Sequence, residues 1–185
     1  MSPFVIGAIV VVVVLLAIVA GTSYNSFVKL RNQSDEAFST MDVFLKKRYD
    51  LIPNLVETVK RYAIHEQDTL TNVIAARNMA VGAKSFEERG QGDNMITGAL
   101  RSLFAVTESY PNLKADQSFL NLQYELGSLE NEIAQARKYY NGVVKVMNNK
   151  VEMFPGNILA GMMGFRSYPY FMADDGERNN VRVQF

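Results

Sequence analysis

The sequence contains no cysteine, no tryptophan and a single histidine, His65. Without cysteine there are no disulfides, no thiol chemistry and no site for lipoprotein-type acylation. His65-Glu66-Gln67-Asp68-Thr69 lacks the second histidine of a zinc-protease helix, so the lone imidazole is a poor metal candidate. Gly90-Gln91-Gly92 is followed by neither glycine nor Lys-Ser/Thr, which excludes a phosphate loop, and no serine sits in a nucleophile elbow. Nineteen basic residues balance nineteen acidic ones, and no basic stripe follows, so nothing argues for nucleic acid. The expectation is a protein without enzymatic activity, metal or cofactor.

Charge is also missing from the whole N-terminal stretch, where no charged side chain precedes Lys29. Phe4 to Ala20, FVIGAIVVVVVLLAIVA, is apolar without interruption. At about 1.5 Å of helical rise per residue, Pro3 to Phe27 spans roughly 37 Å, enough for a hydrocarbon core of about 30 Å. About a dozen Val, Ile, Leu and Phe residues, at roughly −0.3 to −0.6 kcal/mol each, favour insertion by about 4 to 8 kcal/mol. A run this rich in Val has no polar face for water, which argues against a buried core helix. The basic n-region and small-residue cleavage site of a signal peptide are both missing, since Val19-Ala20-Gly21 is a poor substitute. The expectation is a retained, single-pass anchor over 1–23, with Tyr24 and Phe27 as interfacial aromatics. Lys29 and Arg31, then Lys46, Lys47 and Arg48, follow the anchor, which by the positive-inside rule points to an outside N-terminus and a cytoplasmic domain in a bacterial cell membrane.

Beyond the anchor about 160 residues remain, the size of one domain. The expected architecture is all-α: the anchor continues into an antiparallel up-down bundle over 24–152, followed by an aromatic-rich tail over 153–185. Phe27, Leu30, Ala37, Met41 and Phe44 recur at helical spacing and predict a helix over 24–49. Pro53, in a first turn capped by Asp50, predicts a restart and a second helix over 51–82 with Leu55, Val59, Ala63, Leu70 and Val73 inward. The polar, Gly-rich 82–94 reads as a loop, with Asp93 capping a third helix over 94–108. Pro111 repeats the first-turn proline ahead of a fourth helix over 113–150. There Phe119, Leu122, Leu126, Leu129, Ile133, Ala136, Tyr140, Val143 and Met147 form a coiled-coil seam about four heptads long.

Direction along such a bundle returns Met153 and Phe154 to the bilayer. The segment that begins there holds Phe154, Met162, Met163, Phe165, Tyr168, Tyr170 and Phe171. These residues either contact membrane or a second copy, or fold back over the end of the bundle. Val181, Val183 and Phe185 alternate like a short strand after a mobile Asp174 to Asn180. Glu66 and Arg77 lie near the inward face of the second helix, where a charge needs a partner, and are expected to form a buried ion pair with Glu130 or Arg137. With Pro53 and Pro111 they are read as structural positions.

Several stretches resemble the LemA family: Tyr24-Asn25, Arg31-Asn32, Asp42-Val43, and above all Lys47-Arg48-Tyr49-Asp50-Leu51-Ile52-Pro53-Asn54-Leu55-Val56. The likeness continues through Tyr62-Ala63-Ile64-His65-Glu66, Ala76-Arg77, Glu108 to Ala115, Tyr140-Asn141, Pro155, Gly164-Phe165 and Tyr170-Phe171, and so covers about residues 20 to 172. The resemblance implies an N-terminally anchored bacterial helical-bundle protein with no established enzymatic activity. It also implies links to envelope stress, to membrane-organelle biogenesis and to a neighbouring membrane metalloprotease. Two functions follow as expectations: a self-assembling scaffold that organises or remodels membrane, or an adaptor for a membrane protease or stress-signalling partner.

Overall fold

Helix α1 runs from Pro3 to Lys60 without a break. It begins in the apolar stretch, which is exposed along its length, and it is the one described helix long and apolar enough to cross a membrane. The computed structural model describes residues 3–171; the expected strand at Val181, Val183 and Phe185, and the expected mobile segment before it, lie outside these. Five further helices follow among the described residues: α2 (Gln67–Gly82), α3 (Phe86–Thr107), α4 (Pro111–Lys114), α5 (Gln117–Glu152) and α6 (Gly156–Met163). No strand occurs among the described residues, and the all-α expectation holds.

The break expected at Pro53 is not there. Pro53 is an exposed residue inside α1. Proline has no N–H to give the carbonyl four residues back, here that of Tyr49. Arg77 Nε donates to that carbonyl instead, over 3.4 Å, so the helix continues through the proline with its orphaned acceptor met from outside. The true interruption is 61–66, so the expected 51–82 helix is divided between α1 and α2. The expected loop over 82–94 is mostly helix as well. Ser85 and Glu88 form a reciprocal capping box that starts α3 at Phe86, a Ser-x-x-Glu signal that outweighs the glycines after it. Asp93 is thus interior to α3 and caps nothing. Pro111 opens only the single turn α4, while Asp116 Oδ1 accepts from Phe119 N at the start of α5.

The chain divides into two compact units. One holds 40–137 with Phe171. In it Asp42 and Arg48 of α1 pair with Arg89 and Asp93 of α3, so these helices run the same way. Gly92 lies on Ala80 and Tyr110 reaches Glu66, which sets α2 antiparallel to α3. Phe104 meets Phe119, and Asp93 meets Arg137, which sets α5 antiparallel to α3. The predicted up-down order therefore appears inside this unit, around buried Met41, Leu45, Ile52, Leu55, Val59, Leu70, Val73, Ile96, Leu100, Leu103, Leu126 and Ile133.

A Cβ built on Gly92 would stand 2.7 Å from Ala80 Cα and 2.9 Å from Ala80 Cβ, backbone against backbone. Gly98 of the same helix has open space there. The two glycines should therefore respond oppositely to alanine. Gly98→Ala is expected to stabilise by about 0.5–1 kcal/mol through helix propensity. Gly92→Ala is expected to destabilise by about 1 kcal/mol net, because overpacking of about 1–3 kcal/mol exceeds that gain. Denaturant titration of both variants against the parent protein checks the difference in sign.

The other unit holds 3–39 and Lys138–Tyr170. Phe38 meets Tyr140, and Lys150 lies over Phe27, so α1 and the end of α5 run antiparallel there too. Phe27, Met147 and Ala160 are buried together, with Leu30, Val151, Leu159, Phe165 and Tyr168 packed around them. Helix α6 ends at Gly164, whose φ of 77° lies in the left-handed region that favours glycine.

Candidate functional site

The most concentrated chemistry in the 40–137 unit is a buried cluster of charge. Asp93, fully buried on α3, accepts from Arg48 Nη1 at 3.0 Å and from Arg137 Nη2 at 2.7 Å, one guanidinium per carboxylate oxygen. Arg48 Nη1 also lies 3.1 Å from Glu130 Oε2, and its Nη2 donates to Thr97 Oγ1 at 2.8 Å. The Thr97 hydroxyl in turn donates to the Asp93 backbone carbonyl, 3.1 Å away. Arg48 itself is 1% exposed, whereas the Glu130 side chain is 47% exposed. Arg137 is stacked over the Phe171 ring, and Phe171 meets Phe86 edge-on. Burial raises the Asp93 carboxyl above its ordinary range, and the two guanidiniums pull it back.

Formal charges in the cluster cancel: Arg48 and Arg137 against Asp93 and Glu130. It holds three helices in register, since each guanidinium comes from a different helix than the carboxylate it meets on α3. Nothing in it resembles an activated nucleophile or a poised acid–base pair. A cleft of about 320 Å3 nearby is lined by charges that largely pair with one another, Arg89 with Asp42 and Lys46 with Asp50. His65 is exposed, and among the described residues no three His, Cys, Asp or Glu gather as metal ligands.

The expected site residues fall out differently. Glu66 and Arg77 are only half-buried and form no ion pair with Glu130 or Arg137. Glu66 accepts from the Tyr110 hydroxyl at 3.0 Å, and Arg77 serves the Tyr49 carbonyl above Pro53. Glu130 and Arg137 do meet buried charge, but it is Arg48 and Asp93 that bring it. Charge spacing alone could not reveal this, because Arg48 reads as one of the basic residues that follow the anchor and Asp93 as the cap of a third helix.

In the other unit the aromatic tail is a clasp. Phe165 stacks on Phe27 at 4.9 Å, and Tyr24 meets its edge at 5.9 Å. The Arg31 guanidinium lies 5.8 Å over the Phe165 ring, and Lys150 Nζ lies 5.0 Å over Phe27. Asn148, nearly buried, takes both backbone groups of Tyr168: Nδ2 donates to its carbonyl and Oδ1 accepts from its N–H. Tyr168 donates to Asp35, and Tyr140 to the Pro169 carbonyl at 2.9 Å. Phe165, Tyr168 and Phe171 are thus occupied by the chain's own packing rather than presented outward. Of the seven expected contact residues, Phe154 and Met162 remain fully outward, Tyr170 partly so, and Met163 is half-buried.

Burial pushes the Tyr140 phenol up to about 12, with Tyr168 and Asp35 adding to the shift. A raised folded-state pKa gives stability that is complete below the unfolded value of about 10 and lost as pH rises through the folded one. Thermal melts should therefore fall between about pH 10 and about 12 as the Tyr140–Pro169 bond is lost. The fall should be shallower in Tyr140→Phe, which has no proton to lose.

The profile of the LemA family matches residues 37–185. The chain belongs to the LemA family. It is 27% identical to Protein LemA of Metamycoplasma hominis over 85% of this chain and 72% of that one. It is 26% identical to Magnetosome protein MamQ 2 of Paramagnetospirillum magneticum, and 24% to Magnetosome protein MamQ of Magnetospirillum gryphiswaldense. Each magnetosome match covers 80% of this chain and 64% of the relative, so this LemA-family chain spans a little under two thirds of those proteins. It is a membrane-associated member whose single candidate span among the described residues is α1. The matched region contains Arg48, Asp93, Glu130 and Arg137 together with the whole of α6.

Proposed function

We propose that this LemA-family protein is a non-catalytic scaffold, held in a bacterial cell membrane by α1, that self-assembles and organises or reshapes the membrane. The observation that carries the reading is the continuity of α1, in which the apolar span and the helix bearing Arg48 are one element. A ligand site needs a cavity with convergent, unpaired polar groups; the clusters here are paired within the chain and hold helices together. Confinement to a plane raises effective concentration, so weak lateral contacts suffice for assembly. The magnetosome proteins among its relatives support a role in organising a membrane compartment. Lys29 and Arg31, directly after the span, favour a cytoplasmic location for the helical units.

Particle size separates this reading from its rival, an adaptor for a membrane protease or a stress-signalling partner. Protein released gently with its lipid should give large symmetric particles by electron microscopy. Monomers carrying a different membrane protein would sink the scaffold and favour the adaptor. Removal of 153–185 is expected to dissociate the particles; unchanged size would count against that segment's part in assembly.

A further inference from the structure

Helix α6 has an apolar face with no cover. From Pro155 to Phe165 there is no charged side chain, and the single long polar one, Asn157, accepts through Oδ1 from the N–H of Ile158. The inward side is settled: Ala160 is buried with Phe27 and Met147, Leu159 packs against that cluster, and Phe165 stacks on Phe27. On the other side Ile158 and Met162, one turn apart, are 56% and 80% exposed, and Phe154 before them is 80% exposed. A short helix that is apolar all round, with one side left open, does not belong in water.

Its position says what covers it. Phe165, at the end of α6, touches Tyr24 and Phe27, the first aromatics after the apolar run of α1. Helical rise of about 1.5 Å per residue puts Phe27 about 10 Å beyond Ala20, at the headgroup level if the run fills the hydrocarbon. Arg31 and Lys150 are held over the Phe165 and Phe27 rings, and Lys29 is exposed on the same stretch of α1. Aromatic and basic side chains in this combination fit an interface with acidic headgroups, the apolar ones pointing into the acyl boundary.

We propose that α6 is a second, shallow membrane contact, its Phe154–Ile158–Met162 side lying in lipid beside the exit of α1. The inference rests on the reading of α1 as a membrane span and adds a site that the span does not require. An interfacial helix buries its apolar face about 5–10 Å into the headgroup and acyl boundary. The chain would then be fixed to the bilayer at two points, which sets the tilt of α1 and gives the scaffold a surface that senses lipid packing.

The absence of cysteine makes the test direct. The full-length chain is placed in vesicles of neutral and acidic phospholipid with a single polarity-sensitive fluorophore on Ile158→Cys. Matched samples carry the label on Leu15→Cys in α1 or on Tyr124→Cys in α5. Lipids brominated near the headgroup should quench the label at 158, those brominated deep in the chain should quench the label at 15, and neither should quench 124. Quenching at 15 without quenching at 158 overturns the proposal and leaves the span intact. No quenching at either position overturns both. A blue-shifted label at 158 that bromolipid leaves untouched, and that depends on protein density, overturns it in favour of a second copy as the cover. A further variant, Ile158→Glu/Met162→Glu, should keep the helical content and the quenching at 15 while abolishing shallow quenching of a label on Phe154→Cys; retained quenching would also overturn the proposal.

Discussion

Replacing Asp93 with alanine is expected to lower the stability of the 40–137 unit by about 3–5 kcal/mol, the usual cost of leaving a buried charge without its partner. Arg48 has almost no exposure, and its Nε has no acceptor among the described residues, so it cannot turn to water for compensation. Asp93 is the one carboxylate in the cluster that bonds both guanidiniums, which is why its loss outweighs that of any other member. Glu130→Ala should cost under about 1 kcal/mol, since an ion pair with a half-exposed carboxylate is screened by solvent.

Burial of Asp93 raises its pKa, so the cluster is a poor source of net stability even though breaking it is severe. Replacing both deep charges, Arg48→Met with Asp93→Leu, should therefore recover most of the alanine variant's loss, because a buried pair exchanged for apolar groups of similar volume is often neutral. Chemical denaturation in a mild detergent, followed by far-ultraviolet circular dichroism, measures all three. A full-sized loss in the double variant would mean that Arg137 depends on Asp93 more than its partial exposure suggests.

The second large effect is at Phe27, which is wholly buried and stacked on Phe165. Phe27→Ala is expected to cost about 3–5 kcal/mol, the transfer term plus the cavity. The loss should be local to the unit that holds Phe27. Hydrogen exchange would rise first at α6 and at Phe165, whose ring loses the face it lies on, while Arg48, Asp93 and their neighbours stay protected. Uniformly faster exchange throughout the chain would refute that local account. Phe27→Leu keeps most of the volume and should cost less than half as much.

Much of the helical pattern was legible because apolar spacing is a local property. Leu55, Val59, Ala63, Leu70 and Val73 were expected inward and are buried, as are Phe119, Leu126, Leu129, Ile133, Tyr140 and Met147 of α5. What misled was punctuation. A proline at 53 reads as a stop because its missing N–H leaves a carbonyl unsatisfied, and only Arg77, 24 residues later, removes the reason to stop there. Gly90 and Gly92 read as loop, yet a glycine inside α3 is what lets Ala80 come so close.

The amino-acid sequence by itself determined the apolar span, the all-helical class, the family and the inward faces of the long helices, because each rests on residues near one another along the chain. Tertiary structure alone decided which charges are buried and which aromatic side chains remain outward. Arg48 became a core residue only when α3 set Asp93 against it and α5 supplied Glu130. Phe165 and Tyr168 were drawn inward by Phe27 and Asn148, while Phe154, Ile158 and Met162 were left facing out. Pairings across more than a hundred residues, such as Asp35 with Tyr168, follow from packing geometry, which no local spacing encodes.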